Sequence, residues 1–201
     1  MKKKLFIWDI DDVLNDLTAL CISTTAQALK PGIRLEDLQN NPPLAELGCT
    51  LDEYRQNLDD CRDRYLYEVP PRKEVLAFFQ QYGNRFRSLT LSSAPMHMAP
   101  RSAEWVLRHF GSWLQGTLFV PSPRKNITVE SQLFHSKAEA VIALDGILID
   151  DMQKNVDSVR AAGKKAFCFP APWNENRNMS IEDFLTKLSN ELENTYFCKK
   201  I

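Results

Sequence analysis

Leu5-Phe6-Ile7-Trp8 and Ile147-Leu148-Ile149 are short continuous apolar runs, and each breaks into a cluster of aspartates. Runs this short, without polar alternation, predict strands buried on both faces of a parallel sheet. Further strand-like runs occur at Phe86–Leu91, Thr117–Val120 and Ala166–Phe169. Helical spacing separates most of them. From Pro100 to Phe110 the apolar residues Trp105, Val106 and Phe110 share a face, and Gly111 follows as a stop. Ser136 with Glu139 makes a capping-box pattern ahead of Ala138–Leu144. Met152 to Ala162 carries Val156 and Val159 and ends at Gly163, and Ser180 with Asp183 opens a last helix through Leu188. Alternating strands and helices of this kind predict an α/β fold, a doubly wound, Rossmann-like parallel sheet. Ligands bind such sheets at the carboxyl ends of the strands, where the aspartates fall.

The rhythm breaks between Asn15 and about Pro71. That stretch contains no strand pattern and has helical spacing at Leu17–Leu29, Leu35–Leu38 and Leu51–Tyr67, punctuated by Pro31-Gly32 and Pro42-Pro43. The expected organisation is therefore a core of residues 1–14 and 72–201 with a small helical cap, residues 15–71, beside the ligand edge.

The 201 residues, 44% of them hydrophobic, suffice for one such core with an insertion. A net charge of −1 gives no electrostatic footprint for a nucleic acid polymer or an anionic membrane. No apolar stretch approaches the length of a membrane span. Met1-Lys2-Lys3-Lys4 resembles the start of a signal peptide, but the apolar segment after it stops at Asp9. Five cysteines, with no C-x-x-C pair among them, read as reduced structural thiols of a cytoplasmic protein. His97, His109 and His135 are scattered and form no zinc pattern. Nothing in the sequence marks an oligomeric state.

Strand period two places Asp9 and Asp11 on the same side of the chain. If the two acidic strand ends are neighbours, Asp9, Asp11, Asp150 and Asp151 crowd together, and a hard cation such as Mg²⁺ is the expected counter-charge.

These residues resemble the motifs of the haloacid dehalogenase-like superfamily of phosphatases. Asp9-Ile10-Asp11-Asp12-Val13 matches the first motif, Leu89-Thr90-Leu91-Ser92 the second, Lys137 the lysine of the third, and Ile147-Leu148-Ile149-Asp150-Asp151 the fourth. The resemblance covers the chain except the insert, whose place matches the helical cap type of that family. It implies Asp9 as a carboxylate nucleophile that forms an aspartyl-phosphate, and Asp11 as the general acid and base. Asp9, the Asp11 carbonyl, Asp150 and Asp151 would hold Mg²⁺, and Ser92 or Ser93 with Lys137 would bind phosphate oxygens. Lys125 competes for the lysine role, and Lys137 is preferred because it begins the helix entering the acidic strand. Asp12 stands where the family usually has glycine, and Asp tolerates the left-handed backbone that such a turn needs.

Asn155 and the Pro172-Trp173-Asn174 loop resemble, more narrowly, 5′-nucleotidase-type members, which makes Asn155 and Trp173 candidate substrate contacts. In the insert, Arg55, Arg62, Arg64 and Tyr65 are candidates to line a cleft, although Asp59 and Arg62 at helical spacing read as a solvated face. The implied activity is Mg²⁺-dependent hydrolysis of a phosphomonoester on a small phosphorylated metabolite. The alternatives are a phosphoryl-transferring mutase and a metabolite-binding relative without turnover.

Overall fold

The computed structural model describes residues 3–122, 124 and 133–197. Lys125 and Cys198 lie outside them. Five strands form one parallel sheet: β1 (Leu5–Trp8), β2 (Arg87–Ser92), β3 (Leu114–Phe119), β4 (Ile147–Asp150) and β5 (Ala166–Cys168). Their order is β3-β2-β1-β4-β5, with β1 at the centre. Chain order reverses between β1 and β4, so the crevice beyond these two strands is the natural ligand position of a doubly wound sheet.

Both faces of the sheet are covered, which is why β1 is a continuous apolar run. Phe6 and Trp8 enter an aromatic-rich cluster with Phe79, Phe86, Trp105 and Phe110. Leu5 and Ile7 pack on the other face with Leu89, Leu91, Val141 and Leu148. Trp8 is fully buried, and its indole N–H donates to the Ser88 hydroxyl on β2 at 3.0 Å, so no donor is left unpaired. The helices of the core are α4 (Lys73–Tyr82), α5 (Ala99–Phe110), α6 (Lys137–Leu144), α7 (Gln153–Ala161) and α8 (Ile181–Phe197). Ser136 caps α6 by accepting from the Glu139 N–H, but the Glu139 carboxylate turns to the His135 N–H rather than closing the box. No helix among the described residues is long and apolar enough to cross a membrane.

Residues 15–71 contain no strand. They hold α1 (Leu17–Ser23), α2 (Leu44–Leu47) and α3 (Leu51–Tyr65), with single-turn 3₁₀ segments at Thr25–Ala28, Leu35–Asp37 and Leu66–Glu68. The chain leaves and re-enters the core side by side, for Asn15 and Pro71 form an antiparallel bridge and the Arg72 N–H donates to the Leu14 carbonyl at 2.9 Å. Part of the segment has its own small apolar cluster, built on Ile22, Ala26, Ile33, Leu38 and Leu47.

The cysteines depart from the expectation of reduced thiols. Cys21 on α1 and Cys61 on α3 are joined by a disulfide, their Cα atoms 5.6 Å apart, while Cys49 and Cys168 are free. A pair 40 residues apart carries no spacing signature. Only the packing of α1 on α3 brings the two together.

Candidate active site

The register of the sheet assembles the site. Trp8 stands level with Thr90 on β2 and with Ile149 on β4, so Asp9, just beyond β1, and Asp150, the last residue of β4, are neighbours. The Asp9 N–H continues the ladder by donating to the Ile149 carbonyl at 2.9 Å. Carboxylate oxygens of Asp9, Asp150 and Asp151 all lie within 4.8 Å of one another, and all three residues are buried.

Lys137, the first residue of α6, answers part of that charge. Its Nζ is 2.7 Å from Asp9 Oδ2 and 2.7 Å from Asp150 Oδ2. Burial alone would lower the Lys137 pKa, but the adjoining Asp150 and Asp9 carboxylates outweigh it and hold the ammonium above its ordinary range. Asp9 moves the other way. Burial pushes it up to about 7 despite Lys137, and Asp150 adds to the rise. Asp151 is raised well above the ordinary carboxylate range by burial, then by Asp12 and Asp150. With all three carboxylates ionised, one ammonium would leave two negative charges to neutralise. An all-oxygen donor set with that deficit fits a hard divalent cation such as Mg²⁺.

Hydrogen bonds fix these acids in place. Asp150 Oδ1 accepts from the Met152 N–H at 2.9 Å, and Asn155 Nδ2 donates to both Asp150 oxygens at 3.1 and 3.2 Å. Asn155, expected to touch substrate, thus holds an acid while also lining the pocket. Trp173 lines a neighbouring depression instead, and its indole N–H donates to Asp151 Oδ2 at 2.9 Å.

Asp12 takes the left-handed backbone, with φ of 62°, that its place in the turn requires. Its carboxylate accepts from the Thr18 N–H at 2.9 Å, fastening the turn after β1 to α1. Burial pushes Asp12 up to about 6, against the Thr18 hydrogen bonds. Ser92 ends β2 and is buried, its hydroxyl oxygen accepting from the Ala94 N–H at 3.1 Å, whereas Ser93 is exposed. Both serines line the same cavity of about 280 Å³ as Asp9, Asp11 and Lys137.

The reading of Asp59 and Arg62 as a solvated face is corrected: both are buried. Arg62 reaches from α3 into the core, with Nη2 2.7 Å and Nε 3.2 Å from Asp11 Oδ2. Its Nη1 donates to Asp59 Oδ1 at 3.0 Å, and Arg124 holds both Asp59 oxygens at 2.7 and 2.9 Å. A charged pair at i,i+3 looks the same in sequence whether it faces water or a site. Arg55 and Tyr54 also line the cavity, while Arg64 is exposed.

No protein-family model matches the chain, and no curated protein matches it either. Solved structures do. A haloacid dehalogenase-like family hydrolase from Streptococcus pneumoniae aligns over 94% of this chain and 98% of its own at 13% identity, with a TM-score of 0.58. A predicted phosphatase from Clostridium acetobutylicum covers 94% and 100% at 14% identity and TM-score 0.60. A conserved haloacid dehalogenase-like protein of unknown function from Agrobacterium tumefaciens covers 96% and 99% at 13% identity and TM-score 0.58. Likeness at these identities is likeness of architecture, and this chain has the haloacid dehalogenase-like fold.

Proposed function

We propose that the chain is a Mg²⁺-dependent phosphomonoester hydrolase acting on a small phosphorylated metabolite through a phosphorylated Asp9. The observation that carries this reading is the burial of Asp9, Asp150 and Asp151 within mutual reach, with Lys137 beside them, at the crevice where chain order reverses. Such crowding costs stability and is retained where it serves chemistry. The haloacid dehalogenase-like hydrolase and the predicted phosphatase among the fold neighbours agree with it.

In this reading an Asp9 oxygen attacks phosphorus while the bond to the leaving oxygen breaks. Asp11, two residues on at the mouth of the same cavity, gives its proton to the leaving alkoxide. It then takes a proton from the water that attacks phosphorus and breaks the acyl-phosphate, which frees inorganic phosphate and restores Asp9. The Ser92 O–H and the Lys137 ammonium donate to the non-bridging oxygens as negative charge builds. Asp9, the Asp11 carbonyl, Asp150 and Asp151 would hold the cation. When bound it screens the repulsion between an anionic nucleophile and an anionic phosphate. Residues 15–71 serve as the cap over the cavity: Tyr54, Leu58 and Arg62 of α3 form its far wall, so the insert selects the leaving group.

The test is phosphate release from an aryl phosphate and from a panel of nucleotides, sugar phosphates and phosphorylated short acids. Release should require Mg²⁺ and fall by about 10⁴-fold or more in Asp9→Asn. Activity that survives either chelation or that substitution would overturn the proposal. Return of the phosphoryl group to a sugar, without net release, would make the enzyme a mutase.

A further inference from the structure

Trp173 belongs to two parts of the molecule at once. It stands in the loop after β5, and its indole N–H donates to Asp151 Oδ2 at 2.9 Å. Its ring, partly buried, packs against the apolar cluster of the insert built on Ile22, Leu38 and Leu47. The next residue supports the same acid, for Asn174 Nδ2 donates to the Asp151 carbonyl at 2.8 Å and to the Phe169 carbonyl at 2.7 Å. Trp173 is absent from the lining of the catalytic cavity and borders the adjoining depression with Asn41, Pro42 and Met152. A residue placed there holds an acid in position rather than touching a substrate.

An indole N–H is a donor only, so its partner must be an acceptor, and the buried Asp151 carboxylate is that acceptor. A carboxylate anchored at one oxygen can no longer rotate freely about its Cβ–Cγ bond. Donors of this kind behind a metal-ligating acid set its orientation and hence the affinity of the site. The ring adds a second constraint, because it cannot move without disturbing the packing of the insert. We infer that Trp173 is a positioning residue whose indole N–H aims Asp151 at the metal and whose ring ties that acid to the helical insert. The inference rests on the reading of Asp151 as a metal ligand.

The experiment is isothermal titration calorimetry of the full chain with MgCl₂, without substrate. Wild type is compared with Trp173→Phe and with a chain carrying 3-benzothienylalanine at position 173, which keeps the fused ring and lacks only the N–H. Both variants should bind Mg²⁺ about tenfold more weakly than wild type. The isosteric variant should keep the wild-type unfolding midpoint in EDTA. Tryptophan emission should change as Mg²⁺ saturates the wild type, and that change should vanish in Trp173→Phe. Affinity unchanged in both variants would overturn the inference while leaving the proposed function intact. Affinity lost in Trp173→Phe but kept by the isostere would overturn the role of the N–H. A wild type that binds no Mg²⁺ would remove the metal reading itself, and this inference with it.

Discussion

β1 carries charge at both ends, and the two ends treat a carboxylate in opposite ways. At its start Lys4 pairs with Glu191 of α8, which also receives Lys165, so two ammonium groups serve one partly exposed acid. At its end Asp9 shares a single buried lysine with Asp150, and Asp151 stands beside them. Burial alone would raise Glu191, yet the hydrogen bonds from Lys165 and Lys4 outweigh it and keep its pKa below the ordinary 4.5. Burial at the other end raises Asp9 from 3.8 to about 7. The first end is arranged for stability. The second departs from that arrangement and leaves buried carboxylates in excess of their counter-charge.

The signs of the pH response follow. Glu191 has a lowered folded value, so its contribution is complete above 4.5 and is lost as pH falls through that lower value. Asp9 has a raised folded value, so in chelated protein its contribution is complete below about 3.8 and is lost as pH rises through about 7. A bound divalent ion would reverse the second response, since it favours the ionised acid.

The comparison breaks most sharply at Lys137. Lys137→Met leaves Asp9 and Asp150 buried without their counter-charge, which should cost about 3–5 kcal/mol in urea unfolding of the chelated protein. Saturating Mg²⁺ should recover part of that loss, and a cost under about 1 kcal/mol would show that the lysine is not the counter-charge described here. The gentler substitution is Glu191→Gln, where a partly exposed cluster should lose only about 0.2–1 kcal/mol. That small difference should be present at neutral pH and fall away as pH drops through the lowered Glu191 value, where the wild-type carboxyl is protonated too. A difference that grows toward acid would contradict the assignment.

Much of the acidic edge of the sheet could be read from the chain because the physics there is local. A strand buried on both faces must be apolar throughout, so Leu5–Trp8 and Ile147–Asp150 stand out, and their ends locate Asp9 and Asp150 without further information. Lys137 was legible for a similar reason, as the first residue of a helix with a serine cap. Strand edges shifted by only a few residues, as in β3, which begins at Leu114 rather than Thr117. The helix α4 stands outside the elements expected from the pattern, although Val75, Phe78 and Phe79 have helical spacing and pack in the core.

What the sequence hid was pairing at a distance. Arg62 meets Asp11 across 51 positions, Arg124 meets Asp59 across 65, and Cys21 joins Cys61 across 40. None of these pairs leaves a periodic trace, because the first two depend on how the insert packs against the core and the third on how α1 and α3 pack within the insert. Trp173 belongs with them. Its loop was visible as a feature of the ligand edge, but only the fold shows its N–H directed at an acid and its ring lodged against the insert.

The central claim is that Asp9 accepts phosphorus beside a divalent cation, and trifluoroberyllate, which mimics a phosphorylated carboxylate, tests it most directly. Fluorine NMR of the wild-type chain with beryllium fluoride and Mg²⁺ should show protein-bound resonances that vanish on chelation and are absent in a folded Asp9→Asn variant. Bound resonances that persist in that variant would contradict the claim.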